Sequence, residues 1–253
     1  MNKIIATFRG LLVFASMILH LLPAIAKSIF SKNYLPLALR MRRYWANSSL
    51  KILGAKIEVK GKVPTGGPYL FIGNHRSYID PVIALKDIEA LPVAKAEVSA
   101  WPLIGYAAKA TGIMWVKRES KNSRAATMKA MEDTLKKGFS VLVYPEGTTH
   151  TEPVTTTFKR GAFRLAAKMQ IPVVPIALEY KDMAHAWVGD DTFGAHFIRC
   201  FGKKNMFAKV RYGQPVISDN ADELLETTKK WIDENMLEMR RDFDKSSAMA
   251  APV

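Results

Sequence analysis

Beyond Gly54, short apolar runs alternate with longer stretches of helical periodicity, and this alternation constrains the fold more than any other feature of the chain. The alternation is typical of an α/β domain. The predicted strands are Ile57–Lys60, Tyr69–Gly73, Val93–Ala96, Ile113–Val116, Ser140–Tyr144, Val173–Leu178 and Ala208–Tyr212. The predicted helices are Ile79–Asp87, Pro102–Ala110, Asn122–Lys137, Arg160–Lys168 and Ala221–Phe243. We therefore expect one α/β domain over residues 54–245 and a disordered tail over residues 246–253.

An apolar stretch, Leu11 to Ala26, precedes this domain and is interrupted only by Ser16 and His20. A membrane-spanning helix needs about 20 apolar residues. This stretch can therefore cross a membrane only if the helix extends towards the N-terminus past Arg9. A re-entrant or interfacial helix is an equal alternative. A secretory signal peptide is a further alternative, because the sequence from Ala24 to Ala26 has the small residues of a cleavage site.

The next segment, Leu35 to Leu53, has the pattern of an amphipathic helix. Its polar face carries Arg40, Arg43, Asn47 and Lys51, and its apolar face carries Ala38, Met41, Trp45 and Ile52. Such a helix either lies among lipid headgroups or packs its apolar face on the domain. The net charge is +14, and nine Lys or Arg residues precede the first acidic residue, Glu58. We therefore expect residues 1–53 to contact an anionic membrane, and no motif indicates nucleic-acid binding.

The stretch from Gly73 to Pro81 combines the end of a predicted strand with side chains able to do chemistry. If a helix begins near Ile79, the carboxylate of Asp80 can fold back onto the imidazole of His75. A carboxylate on one ring nitrogen fixes the tautomer, and it stabilises the imidazolium that forms when the other nitrogen takes a proton. His75 is therefore a candidate general base acting on a hydroxyl.

Spacing alone does not separate this pair from other candidates. His185 and Asp190 have the same spacing and also follow an apolar run, so either histidine could be structural. The single cysteine, Cys200, excludes an intrachain disulfide and agrees with a reducing compartment. Its apolar neighbours favour a buried core thiol. Ser77 is the hydroxyl nearest to His75 in sequence, but no Gly-x-Ser-x-Gly motif marks a nucleophile.

Four blocks in order resemble the glycerolipid acyltransferase family. They are Asn74 to Asp80, Gly112 to Arg118, Tyr144 to Thr149 and Ile171 to Ile176, with Phe158 to Ala162 between the last two. The resemblance covers about residues 56–215. It implies a mixed central sheet flanked by helices, preceded by a membrane-associated pair of helices.

The resemblance also implies roles for individual residues. His75 and Asp80 are the expected catalytic pair. Arg118 and Lys159 correspond to positions that bind the acceptor headgroup, and the arginine fork suits a phosphate. The set Glu146, Gly147 and Thr148 is expected either to bind the acceptor glycerol or to arrange the site. Thr149 departs from the family, which commonly has arginine there, and this leaves room for an acceptor without glycerol phosphate.

The implied reaction moves a fatty acyl chain from acyl-coenzyme A or acyl-carrier protein to the sn-2 hydroxyl of 1-acyl-glycerol-3-phosphate, giving phosphatidate. Direct attack by the hydroxyl is expected, because a thiol leaving group has a pKa near 8.5 and needs little acid assistance. No cofactor or metal is implied, since no further ligands stand near His75 and Asp80 at useful spacing. The expected location is the cytoplasmic face of a bacterial inner membrane. Three alternatives stay open: another lysolipid such as lyso-ornithine lipid, a thioester hydrolase, and a non-catalytic module that binds membrane or acyl-carrier protein.

Overall fold

The computed structural model describes residues 2–100, 105, 111–117 and 119–248. Their helices are α1 (Asn2–Phe30), α2 (Leu35–Ile52), α3 (Asp80–Leu85), α4 (Lys121–Lys136), α5 (Gly161–Met169), α6 (Phe193–Phe201) and α7 (Ala221–Ala248). The strands are β1 (Ala55–Lys60), β2 (Leu70–Gly73), β3 (Ala90–Lys95), β4 (Met114–Val116), β5 (Ser140–Val143), β6 (Val173–Tyr180) and β7 (Met206–Tyr212). Two short 3-10 helices cover Ala96–Ala100 and Met183–His185.

The strands form one mixed sheet, whose order over the described residues is β1-β7-β6-β2-β5-β3-β4. The β6 and β7 strands are antiparallel and the other neighbouring pairs are parallel. In the centre of the sheet, Ile72 of β2 aligns with Val143 of β5 and with Pro175 of β6. The carboxyl ends of these three strands therefore meet at one edge, which is where α/β proteins bind their ligands.

Helices cover both faces of the sheet, so the predicted fold class is confirmed. One apolar core lies between the sheet and α4, α5 and α7. The other lies between the sheet and α2, α3 and α6. The centre of the sheet is buried from both sides: all four residues of β2 and all eight of β6 are buried. The site at the strand ends thus rests on a rigid base.

All seven predicted strands are present, with ends shifted by three residues at most. The helix predicted at Pro102–Ala110 lies, apart from Gly105, outside the described residues. The α6 helix was missed by the sequence analysis. The α7 helix continues to Ala248, three residues into the predicted tail, and residues 249–253 lie outside the described part of the chain.

The N-terminal helix α1 packs on the domain through α2 and α6. Arg9, which interrupts the apolar pattern, donates from Nη1 to the carbonyl of Phe201 at 2.9 Å and from Nη2 to that of Lys204 at 3.0 Å. A guanidinium at the end of α6 supplies donors to carbonyls that the helix leaves unpaired. Arg9 is therefore a contact to the domain rather than a charge facing outward.

Of the two polar residues in the apolar stretch, His20 contacts α2, and the Ser16 hydroxyl contacts His20. His20 contacts the carbonyl of Ser16 through Nδ1 at 2.8 Å and the hydroxyl of Ser48 through Nε2 at 3.4 Å. The other face of α1 is apolar and exposed, with Leu19 and Leu22 at 70% and 57% exposure. By length and composition α1 could cross a membrane. The α1 helix therefore has one face on the protein and one apolar face without a protein partner among the described residues.

The α2 helix packs on the domain, which is one of the two expected alternatives. Leu39 belongs to one core and Leu50 to the other. The buried face of α2 differs from the predicted apolar face: it includes Arg42, which was not among the predicted apolar residues. The guanidinium of Arg42 donates to the carbonyls of Ala90 and Thr111, and burial lowers the pKa of Arg42 to about 9. The carbonyl of Ala90, where β3 begins, and that of Thr111, which precedes β4, thus make a cationic residue part of the packed face.

Candidate active site

The turn after β2 delivers His75 to the edge of the sheet. Asn74, directly before it, is fully buried and pairs its side chain with the backbone of Leu178 in β6. Its Nδ2 donates to the Leu178 carbonyl at 2.9 Å, and its Oδ1 accepts from the Leu178 N–H at 2.8 Å. The side chain of Asn74 therefore replaces one rung of backbone pairing and anchors the turn to the central strand.

Asp80, at the first position of α3, folds back onto this turn as expected. Its Oδ2 lies 2.8 Å from Nδ1 of His75 and accepts the backbone N–H groups of Arg76 at 2.6 Å and Ser77 at 2.7 Å. The carboxylate is fully buried. Since an ionised carboxylate only accepts hydrogen bonds, Nδ1 of His75 carries the hydrogen and Nε2 keeps a lone pair. His75 is thus held as the tautomer that a general base needs.

Tyr180 completes the surroundings of Asp80, and sequence reasoning missed it. Its hydroxyl donates to Oδ1 of Asp80 from the end of β6. Burial, and then the charge of Asp80, raise the pKa of Tyr180 well above its ordinary value, so the phenol stays protonated. The sequence carries no signal for this contact, because a tyrosine within a strongly apolar strand is predicted to be an ordinary core residue.

A second tyrosine fixes the plane of the imidazole. The ring of Tyr144, which follows β5, stacks on His75 with centroids 4.5 Å apart and an angle of 19° between the planes. Burial and the nearby Asp80 raise the pKa of Tyr144 well above its ordinary value. Together, the Asp80 contact and the Tyr144 stack leave the His75 side chain little freedom to turn.

Glu146 joins the loop after β5 to the turn after β2. Its Oε2 accepts the backbone N–H of His75 at 2.6 Å, and its Oε1 accepts that of Thr156 at 3.1 Å and contacts Nε2 of His150. The side chain is buried, and protein donors occupy both oxygens. The geometry supports the second expected role of this residue, arranging the site.

The end of the Lys159 side chain passes close to the backbone of Gly147. Gly147 has a φ of +73°, and a Cβ built there would lie 2.5 Å from Nζ of Lys159. The positive φ favours glycine here, whereas the flexible end of the lysine could move aside for a Cβ. Lys159 is exposed, and no ion pair joins it to another described residue. Thr148 is exposed beside it.

Of the predicted site residues, six are in this neighbourhood. His75, Gly147, Thr148 and Lys159 border one cavity, while Asp80 and Glu146 lie behind it. Arg118 lies outside the residues that the structure describes. Within the described residues, no group of three or more His, Cys, Asp or Glu side chains could hold a metal ion.

The other candidates are structural. His185 bonds through Nδ1 to the carbonyl of Asp182 at 3.0 Å rather than to Asp190, and burial lowers its pKa. Cys200 is buried, as predicted, and burial raises its pKa to about 11. The Ser77 hydroxyl is also buried and does not border the cavity. Neither the thiol nor this hydroxyl is placed to act as a nucleophile.

The cavity beside His75 has a volume of about 1340 Å³. It continues from the strand ends over both faces of the sheet. On one side its walls come from α1, α2, α3 and α6, with apolar residues Phe14, Met17, Leu21, Trp45, Ile79 and Phe197. On the other side they come from β3, β4 and α4, with Val93, Ile113, Val116, Met128 and Met131. Such walls suit hydrocarbon chains, and His75 is among the residues that line the cavity.

Comparisons with known proteins find similar sequences and a solved structure with a similar fold. The sequence model of a family described as Acyltransferase matches residues 56–179. A lyso-ornithine lipid O-acyltransferase of Pseudomonas aeruginosa is 30% identical over 194 residues, 74% of this chain and 74% of that protein. A chloroplastic 1-acyl-sn-glycerol-3-phosphate acyltransferase of Brassica napus, BAT2, is 32% identical over 140 residues, 54% of this chain but only 40% of that protein. The crystal structure of PlsC, the 1-acyl-sn-glycerophosphate acyltransferase of Thermotoga maritima, has a TM-score of 0.66 at 16% identity, covering 93% of this chain and 98% of that one.

Proposed function

The chain belongs to the glycerolipid acyltransferase family, and we propose that it moves a fatty acyl group from an acyl thioester to the sn-2 hydroxyl of 1-acyl-glycerol-3-phosphate. One observation carries the proposal: Nδ1 of His75 lies 2.8 Å from the buried Asp80 carboxylate, and the imidazole borders a large apolar cavity. A base with no nucleophile placed beside it among the described residues, next to room for acyl chains, fits direct transfer to an alcohol.

The residues act in the following way. Nε2 of His75 takes the proton of the acceptor hydroxyl as its oxygen attacks the thioester carbonyl. Asp80 stabilises the imidazolium through Nδ1. When the carbon–sulfur bond breaks, the thiolate leaves and takes the proton back from Nε2, which restores neutral His75. The products are the new ester and the free thiol of coenzyme A or acyl-carrier protein.

Lys159 supports an acceptor with an anionic headgroup. It is exposed, it lies against Gly147, and it borders the same cavity as His75. An ammonium without a carboxylate partner among the described residues is a suitable contact for a phosphate. Arg118 is proposed as the second contact on the strength of the family pattern alone.

A specific observation favours a second acceptor, lyso-ornithine lipid. Thr149, where the family commonly has arginine, donates its hydroxyl to the carbonyl of Trp187. Its side chain therefore adds no charge to the acceptor site. The relative named for lyso-ornithine lipid also matches a larger share of this chain than the Brassica napus relative does.

We also propose that the protein works at the cytoplasmic face of a bacterial inner membrane. The exposed apolar face of α1 supports contact with lipid, and the basic residues before Glu58 support an anionic surface. Lysolipid acceptors reside in membranes, so this location gives the site access to them.

An acceptor panel tests the function. Purified protein is given palmitoyl-coenzyme A or palmitoyl-acyl-carrier protein together with lysophosphatidate, lyso-ornithine lipid or lysophosphatidylcholine, and products are identified by mass spectrometry. We expect phosphatidate from lysophosphatidate. If only lyso-ornithine lipid is acylated, the proposed acceptor is wrong but the proposed role of His75 is unaffected. If free fatty acid is the sole product, the protein is a thioester hydrolase.

A further inference from the structure

His150 lies between a buried cation and a buried anion of the site. Its Nδ1 is 3.2 Å from Nη1 of Arg76 and accepts the backbone N–H of Glu152, also at 3.2 Å. Its Nε2 contacts Oε1 of Glu146. The side chain is 10% exposed, and it does not border the cavity.

These partners determine where the imidazole carries its hydrogen. A guanidinium and a backbone N–H only donate, so Nδ1 must accept and cannot carry hydrogen. A carboxylate only accepts, so Nε2 must donate to Glu146. The contacts therefore select the neutral form of His150 with hydrogen on Nε2. A protonated His150 would direct a second N–H at the Arg76 guanidinium.

Both contacts of His150 lead to the catalytic turn. Glu146, which receives its Nε2–H, uses the other carboxylate oxygen to accept the backbone N–H of His75 at 2.6 Å. Arg76, which donates to its Nδ1, is the residue after His75, and the Arg76 backbone N–H donates to Asp80 at 2.6 Å. The His150 imidazole thus touches the two residues that hold the His75 backbone from either side.

The Arg76 side chain has other hydrogen-bond partners besides the His150 imidazole, whereas Oε1 of Glu146 has only one other partner among the described residues. Arg76 is fully buried, pairs with Glu179 at 3.0 Å and donates to the His150 carbonyl at 3.0 Å. Glu179 in turn accepts from Arg240 of α7 at 2.6 Å. Without His150, Oε1 of Glu146 keeps one contact among the described residues, the N–H of Thr156 at 3.1 Å. The bond from His150 to Glu146 is therefore the more consequential of the two.

We propose that His150 is a positioning residue for acyl transfer: as the neutral Nε2–H tautomer, it holds Glu146 against the backbone of His75 and so fixes the catalytic base. The inference rests on the proposed function for its kinetic consequence. His150 directly follows Thr149, the residue at which this chain departs from the family pattern. The role requires no contact between His150 and either substrate.

Two amide variants of nearly equal polarity test the proposal. His150→Gln can reach Glu146 with an amide N–H near the position of Nε2, whereas His150→Asn is too short and leaves that oxygen without its donor. We expect His150→Gln to keep kcat within about threefold of wild type. We expect His150→Asn to lower kcat by about tenfold or more, with KM for the acyl thioester changed by less than about twofold, because positioning affects the reacting state rather than donor binding.

A second readout does not depend on activity. The ¹⁵N chemical shifts of the His150 ring in the wild-type protein at neutral pH should show a protonated Nε2 and an unprotonated Nδ1. Equal kcat in the two amide variants would overturn the proposal. A hydrogen on Nδ1 of the wild-type His150 would also overturn it, and this second test does not need either variant to fold. Wild-type protein inactive towards every acceptor would count against the proposed function, while the ¹⁵N result would still decide the tautomer.

Discussion

Nδ1 of His75 lies 2.8 Å from Oδ2 of Asp80, and that same oxygen accepts the backbone N–H groups of the two residues after His75. One buried carboxylate thus fixes both the imidazole and the turn that carries it. The arrangement explains why the histidine and the aspartate are five positions apart. The α3 helix begins at Asp80, and from this position the Asp80 side chain can reach back to the His75 imidazole.

Asp80→Asn should lower kcat by roughly 10²- to 10⁴-fold, because an amide can hold the wrong tautomer of His75 and cannot accept from every donor that now surrounds it. Steady-state rates of thiol release measure the loss. Circular dichroism at the assay temperature checks that the variant is folded. A folded Asp80→Asn protein within tenfold of wild-type kcat would show that Asp80 does not support the base.

Tyr180→Phe should lower kcat by about tenfold, because it removes the donor to Oδ1 of Asp80 and leaves a buried charged oxygen short of a partner. Stability should fall by about 1–3 kcal/mol, measured by urea unfolding. Tyr212→Phe is the matched control, since the Tyr212 hydroxyl is also buried but lies 3.2 Å from Asp87 and makes no hydrogen bond to Asp80. The control should lose stability but keep kcat. Equal kcat in both variants would contradict the assigned role of Tyr180.

Lys159→Ala should raise KM for lysophosphatidate by about ten- to a hundredfold, because a charge-assisted contact contributes about 1.5–3 kcal/mol. KM for the acyl thioester should change much less. Arg160→Ala is the control: Arg160 is exposed, pairs with Asp222 at 3.4 Å and does not border the cavity. If the two variants raise KM equally, Lys159 is not a specific headgroup contact.

Membrane binding through α1 predicts that Leu19→Glu combined with Leu22→Glu lowers co-sedimentation with anionic vesicles by about tenfold or more, because both side chains are exposed on its apolar face. Leu237→Glu, on α7, is the control, with 42% exposure of the original leucine. Wild-type binding should persist in about 1 M salt, where charges are screened beyond about 3 Å. Release of the wild-type protein by salt would assign the binding to basic residues instead.

Deletion of residues 1–53 would be a poor test of the same point. The α1 helix lines the cavity through Phe14 and Met17, and α2 contributes Leu39 and Leu50 to the two cores. Loss of activity after such a deletion would therefore report damage to the fold as well as loss of membrane contact. Point substitutions on the exposed face avoid this difficulty.

The regular elements could be predicted because their patterns are local. Each strand is a short apolar run, and the His75 turn follows one of them directly. The α6 helix was missed because Gly194 and several aromatic residues give it weak helix propensity. It is stabilised by the Thr192 cap, by tilted ring contacts of Phe197 with Phe193 and Phe201 along the helix, and by packing against α1.

Only those parts of the site that depend on local sequence or on the family pattern could be predicted. His75 and Asp80 lie on one turn, so their contact follows from spacing once a helix starts at Asp80. Tyr180 lies 100 positions from Asp80, and only the pairing of β6 beside β2 brings them together. The link from Arg76 through His150 to Glu146 likewise depends on β2 and β5 ending at the same edge. Such contacts need the strand order, which no local pattern contains.

The most direct test of the account is acceptor-dependent thiol release by wild-type protein, His75→Ala and His185→Asn. We expect the wild type to release one thiol for each ester formed, and only when a lysolipid is present. His75→Ala should lose at least about 10²-fold in rate, while His185→Asn, at a histidine with no contact to Asp190, should keep most of it. Thiol release without an acceptor, or equal losses in the two variants, would contradict the claim that His75 is the base of a lysolipid acyltransferase.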